Sequence, residues 1–188
     1  MKFILYILSL ITTFSQSVDI IYLPNTSYIK LQGEIESVMA DEFISNLFEQ
    51  DNDFYIYINS NGGDVESGMK IIKMMKYLQS ENIKIKCIAK KAFSMAFHIY
   101  QRCDERLYMS SSILMQHEVT IYIGGNIEES QQLLTKYSKL SDEIITYESN
   151  KLNIDKDEYI RNLKKEIWFS GDDILTHNAG DRRVLVMS

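Results

Sequence analysis

The chain has 188 residues, 45% of them hydrophobic, and a formal net charge of −6. A chain of this length buries about 70% of its unfolded surface, so one domain with a full core is expected, without disulfide or metal staples. The acidic balance, with no Lys/Arg run longer than a pair, argues against nucleic acid as the main partner, and two cysteines are too few for a disulfide framework.

Residues 1–17, MKFILYILSLITTFSQS, combine one lysine, an apolar stretch from Phe3 to Ile11, and small residues Ser15 and Ser17 spaced like a cleavage site. This pattern reads as a secretory signal or an N-terminal anchor, leaving residues 18–188 as the single domain. An exported or membrane-associated protein follows if it acts as a signal, and a cytoplasmic one if it does not.

From Tyr28 the chain alternates between strand and helix patterns. YIKLQGEI predicts a strand ending at Gly33; residues 36–50, ESVMADEFISNLFEQ, place apolar residues at helical spacing; FYIYINS is a second strand. GMKIIKMMKYLQ is helical, and IKIKCIA is extended, with Cys87 read as a small buried hydrophobe and not as half of a disulfide. SMAFHIYQRC is helical again, followed by two separate extended segments, RLYMS and SILMQHEV. The longest helical pattern runs from Asn126 to Asn150, with Leu133, Leu134, Tyr137, Leu140 and Ile144 spaced for packing or assembly. No internal repeat or low-complexity segment interrupts the alternation. An α/β fold with helices covering a largely parallel sheet is expected.

Two chain segments carry chemistry. The FYIYINS strand ends in Asn59-Ser60-Asn61-Gly62-Gly63 and passes at once into a helix, which places flexible backbone at the carboxyl edge of the sheet. N–H groups turned outward there can hold a phosphate or an oxyanion; neither GxxxxGK[ST] nor GxGxxG is present, and a plain tight turn is the simpler alternative. The next strand-to-helix junction puts Ser94 at a helix start, where it reads as a cap or as a nucleophile. A serine nucleophile needs a base. His98 shares its helix, His177 sits in the polar DDILTHNAGD and reads as surface, and His117 at the end of an extended run is the best candidate.

Four motifs in order, Ile58 to Ile71, Ala92 to Phe97, Met115 to His117 and Glu166 to Ser170, together resemble the proteolytic subunit of the Clp protease. The likeness extends from about Ile29 to Val186. It implies the spiral of β-β-α units shared with crotonases, with a protruding handle helix at about 126–150. It implies a serine endopeptidase with Ser94 as nucleophile, His117 as base and then acid, Glu166 as the acid of the triad, and the Gly63 and Met95 N–H groups as oxyanion donors, with Gly62 supplying the turn. Asp172 and Asp173 are the alternatives to Glu166. The resemblance calls for no cofactor or metal, and it implies stacked seven-membered rings, a Clp-type ATPase unfoldase as partner, and peptide or unfolded-protein substrates. Departures from the family pattern are Asn61 where proline is usual, Ala96 where glycine is usual, and Glu118 after His117. Two rival readings are a ring subunit that cuts nothing and another enzyme of the same scaffold, such as a signal peptide peptidase.

Overall fold

The computed structural model describes residues 18–22 and 28–187, so the Met1–Ser17 segment read as a signal or anchor lies outside the described residues. In chain order the elements are β1 (Asp19–Tyr22), β2 (Tyr28–Ile35), α1 (Ser37–Phe48), β3 (Phe54–Gly63), α2 (Val65–Ser80), β4 (Ile85–Phe93) and α3 (Met95–Gln101). Then follow β5 (Glu105–Gln116), α4 (Ile127–Leu152), α5 (Lys156–Leu163), β6 (Ile167–Ser170), α6 (Asp173–Thr176) and β7 (Arg182–Met187).

The period-2 pattern of FYIYINS dictates how the sheet buries its residues. In β3, Phe54, Ile56, Ile58 and Ser60 are buried, while Tyr55 and Tyr57 point the other way and are only half covered. Fully burying a side chain such as Ile56 or Ile58 stabilises the fold by roughly 1.5–3 kcal/mol. The helices supply the opposing surface: α2 turns Gly68, Ile71, Ile72, Met75 and Leu78 inward at spacings of three and four. Its start is fixed by Asp64, whose carboxylate accepts from the Ser67 N–H at 2.7 Å.

The sheet order is β1-β7-β5-β4-β3-β2, all parallel, with β6 antiparallel to the end of β5. The expected α/β class is therefore the observed one. The helices cover one face: buried residues of α1, α2, α3, α5 and α6 join a single core cluster. A smaller cluster around Ile88, Leu107 and Val184 lies apart, flanked by partly buried Tyr28, Tyr55 and Tyr57.

Two strand boundaries differ from expectation for identifiable reasons. β2 continues through Gly33 to Ile35 by shifting its register on β3 between Gly33 and Glu34. RLYMS and SILMQHEV form one strand, β5, because residues between its two paired halves bulge out; Ser112 Oγ donates to Ala89 O and accepts from the Met109 N–H, satisfying the break. The cysteines also differ. Cys87 and Cys103 are bonded to each other, with Cα atoms 5.9 Å apart, because β4 and the end of α3 converge in the core. Alternation along IKIKCIA registers burial but carries no information about which residue from elsewhere arrives opposite.

β7 is held beside β5 by a charged anchor. Arg106, 4% exposed, pairs with Asp181 and donates to Gln101 Oε1 and to Asn178 O. Burial alone would raise the Asp181 carboxyl, but the hydrogen bonds and charge of Arg106 outweigh it and hold the pKa below the ordinary carboxylate value.

The disulfide closes a loop spanning a sequence separation of 16, and this loop contains Ser94. Chain-entropy reasoning gives a contribution of about 3 kcal/mol for a loop of that length. Purified protein should titrate no free thiol until denatured and reduced, and Cys103→Ser should lower urea-unfolding stability by about that amount.

Candidate active site

β3 and β4 end side by side, and their ends carry the two glycines and Ser94. Gly62 adopts φ +89°, and a Cβ built on it would lie 2.5 Å from Phe93 O, 2.8 Å from Ser94 Cβ and 2.9 Å from the Met95 nitrogen. Gly63, at φ +147°, would collide with the backbone of Ile35, its Cβ 2.7 Å from the Ile35 nitrogen. Two adjacent glycines are thus required because this turn is pressed between β2 on one side and the Ser94 junction on the other. Ser60 braces the turn: its Oγ donates to Gly33 O at 2.5 Å and accepts from the Gly62 N–H at 3.0 Å.

Ser94 occupies the residue before α3 with φ 53° and ψ −122°, a conformation that L-residues rarely adopt. Its hydroxyl makes no capping hydrogen bond, which removes the helix-cap alternative for this residue. Its N–H donates to Met115 O at 2.9 Å, tying the junction to β5. Met95 is the first residue of α3, where a backbone N–H has no intrahelical acceptor.

A cavity of about 400 Å³ opens over this junction, and its wall includes Gly62, Gly63, Ser94, Met95, His98 and His117. Ser94 and His117, drawn from segments 23 positions apart in sequence, therefore share one cavity with both glycines and Met95. His117 is half-buried at the residue after β5 ends. Glu166 is exposed, in the left-handed region at φ 58°, and its carboxylate accepts from the Trp168 indole at 3.2 Å. The β5–β6 register pairs Gln116 with Ile167, so Glu166 follows on opposite His117, yet it forms no part of the cavity wall. Asp172 is turned toward Arg183 and Asp173 begins α6; neither lines the cavity. His177 is exposed, as its polar surroundings predicted.

His98 is different. It is fully buried, its Nδ1 2.9 Å from Glu148 Oε1 and its Nε2 3.1 Å from Arg102 Nη2. Glu148, on α4 and also fully buried, accepts from Gln116 Nε2 at 2.7 Å and from the Tyr159 hydroxyl at 2.8 Å. Burial first, and then the neighbouring carboxylate, push the Tyr159 phenol far above its ordinary value and keep it a donor. Burial also lowers the Arg102 pKa, while its guanidinium lies 3.4 Å from the centre of the Tyr147 ring. Sequence inspection gave no signal for Gln116 and Glu148, since neither spacing nor composition foretells that α4 will deliver a carboxylate beneath β5. Gly68, within the Ile58 to Ile71 motif but given no role there, leaves room for the Met95 side chain against α2.

Gly62 and Gly33 share φ +89°, but nothing lies within 4 Å of a Cβ at Gly33. Gly33→Ala should cost only the backbone strain, about 1–3 kcal/mol, whereas Gly62→Ala should cost more by the added clash, read as a lower urea midpoint at unchanged m.

Comparison with known proteins bears on what this arrangement is. Residues 15–177 match the family model described as Clp protease. The chain is 26% identical over 159 residues to an ATP-dependent Clp protease proteolytic subunit of Borrelia garinii subsp. bavariensis, covering 81% of each chain. It is 24% identical over 164 residues to ATP-dependent Clp protease proteolytic subunit 3 of Rhodococcus jostii, covering 83% of this chain and 80% of the relative. Against the corresponding subunit of Deinococcus radiodurans it is 23% identical over 155 residues, covering 79% and 75%. With the family model spanning most of its length, and the parallel sheet and strand-end cavity in place, the chain belongs to the Clp protease family.

Proposed function

We propose that this protein is a serine endopeptidase that cleaves peptides or unfolded proteins through Ser94, with His117 as general base and then general acid. The observation that carries this reading is the conformation of Ser94: it is held at φ 53° before α3, with a hydroxyl that caps nothing and faces a cavity shared with His117. A serine spends strain this way where its oxygen must stand clear of the backbone for attack.

In the proposed reaction, the Ser94 oxygen attacks the scissile carbonyl carbon while His117 accepts the hydroxyl proton. The carbonyl becomes an oxyanion, stabilised by the N–H groups of Gly63 and Met95, each worth about 3 kcal/mol. His117 then delivers the proton to the leaving amine, and water enters by the same route to release the acyl group. Glu166 is the proposed third member; it would have to leave Trp168 and turn toward the imidazole. A glutamate can orient imidazole as an aspartate does, through one more methylene.

The same relationship suggests rings. Only Ile144, Glu148, Ser149 and Leu152 of α4 are buried, and Ile127 and Leu134 on its outer part are 81% and 56% exposed. An element so sparsely covered fits the handle helix of stacked rings, and a Clp-type ATPase is the proposed unfolding partner. One observation favours a second reading, that of a ring-building subunit that cuts nothing: the Glu166 carboxylate is bonded to Trp168 and not to His117.

A fluorophosphonate probe and a short-peptide assay separate the two. Wild type should be labelled and hydrolyse peptide, and Ser94→Ala should lose the label and at least about a thousandfold in kcat/KM. Unlabelled wild type would leave the second reading. Light scattering at micromolar protein should return a mass many times that of the 21.9 kDa chain, and a monomer would refute the ring assignment.

A further inference from the structure

We infer that Glu148 is a positioning residue of this site: through Gln116 it fixes the backbone of His117, so the seating of α4 governs the placement of the base. This inference rests on the serine-hydrolase reading above.

The donor and acceptor roles in the buried cluster follow from its chemistry. Arg102 can only donate, so His98 Nε2, 3.1 Å from it, must be the unprotonated nitrogen of a neutral ring. The ring proton is then on Nδ1 and points at Glu148 Oε1, 2.9 Å away. Glu148 Oε1, which takes the His98 proton, acts as the acceptor, so Gln116 must turn its NH2 toward it, which leaves Gln116 Oε1 facing the other way. That oxygen accepts from the His117 N–H at 3.1 Å. β5 and its pairing with β6 both stop at Gln116, so the side chain of Gln116 supplies the acceptor that the strand no longer offers His117.

Three donors thus converge on Glu148, from α3, β5 and α5, and each is buried. The cluster holds one carboxyl group, one neutral imidazole and one guanidinium, whose buried Nε lacks a partner among the described residues. Gln116 and His98 both line the cavity, while Glu148 stands behind them. Glu148 would touch no substrate; its effect is on where His117 sits, and an error of about 1 Å in a base can cost on the order of a hundredfold in rate.

The test uses full-length protein and near-isosteric substitutions, Glu148→Gln and Gln116→Met, with Ser94→Ala as the activity control. Each single variant should lower kcat on a short peptide by at least about tenfold, with KM within about twofold of wild type. The double variant should be no worse than the weaker single, because both remove one linkage. Gln116→Met with wild-type kcat, or a double variant in which the two losses multiply, overturns the inference. Magic-angle-spinning 15N spectra of wild type supply a readout that needs neither turnover nor a folded variant. His98, assigned by sequential backbone correlations in uniformly 13C,15N-labelled wild type, should be neutral and protonated on Nδ1, and a ring protonated on Nε2 overturns the inference even if both variants fail to fold. A wild type that hydrolyses nothing and leaves Ser94 unlabelled removes the hydrolase reading, and this inference with it; an active wild type with an indifferent Gln116→Met removes this inference alone.

Discussion

The constraint on which the cavity depends is the packing of two strand ends against each other. β3 finishes in Gly62 and Gly63 with no space for a Cβ, because Phe93, Ser94 and Met95 crowd one glycine and Ile35 the other. Everything near the cavity follows from this contact. The parallel arrangement of β2, β3 and β4 brings three carboxyl ends to one edge. Ser60 ties the first two ends together through Gly33 O, and the Ser94 N–H ties the third to β5 through Met115 O. The left-handed conformation of Ser94 persists because it is held from both sides: the disulfide between Cys87 and Cys103 brackets the segment, and the glycine turn packs on it.

A second layer of polar groups lies beneath that edge. Burying an ionised carboxylate is costly unless its lone pairs are used, and Glu148 uses both oxygens on three donors. An apolar side chain at this position alone would strand three buried donors, and only an apolar replacement of the whole cluster would escape that cost. What the carboxylate adds is direction. It selects the tautomer of His98 and the amide orientation of Gln116, and so admits one seating of α3, β5, α4 and α5 relative to one another.

How much of this could be read beforehand depended on whether the signal was local. The β-α alternation, the glycine pair and the long helix each leave a pattern within a few residues, and the α/β class followed from them. Ser94 and His117 were singled out by their places at a strand-helix junction and a strand end, and the structure puts both on one cavity wall. The Cys87–Cys103 bond, the parallel pairing of β1 with β7 across 165 positions, and the Glu148–His98 contact are made by residues remote in sequence, and no periodicity encodes them. β5 was divided because its bulge interrupts the alternation where Ser112, and not a neighbouring strand, satisfies the backbone. Glu166 was matched by its distance from Phe169 and Ser170, which fixes the position of its Cα opposite His117 but says nothing of where a flexible, exposed side chain rests.

The anchoring of α4 connects these levels. This 26-residue helix begins in a capping box, Asn126 with Glu129, that makes its exposed end self-sufficient, so its outer turns need no neighbour to remain helical. Midway, Lys136 and Tyr137 reach Glu66 on α2 in solvent, an interaction worth at most about 1 kcal/mol. Firm attachment begins only at Ile144 and is concentrated at Glu148, Ser149 and Leu152. A rod held at one end transmits displacement of its free end to the held end, and the group held there is the carboxylate that orders Gln116. Displacement of the outer turns would therefore act on the same buried contacts that set the backbone at His117, because the anchor of α4 includes Ile144 in the cavity wall and Glu148 behind it.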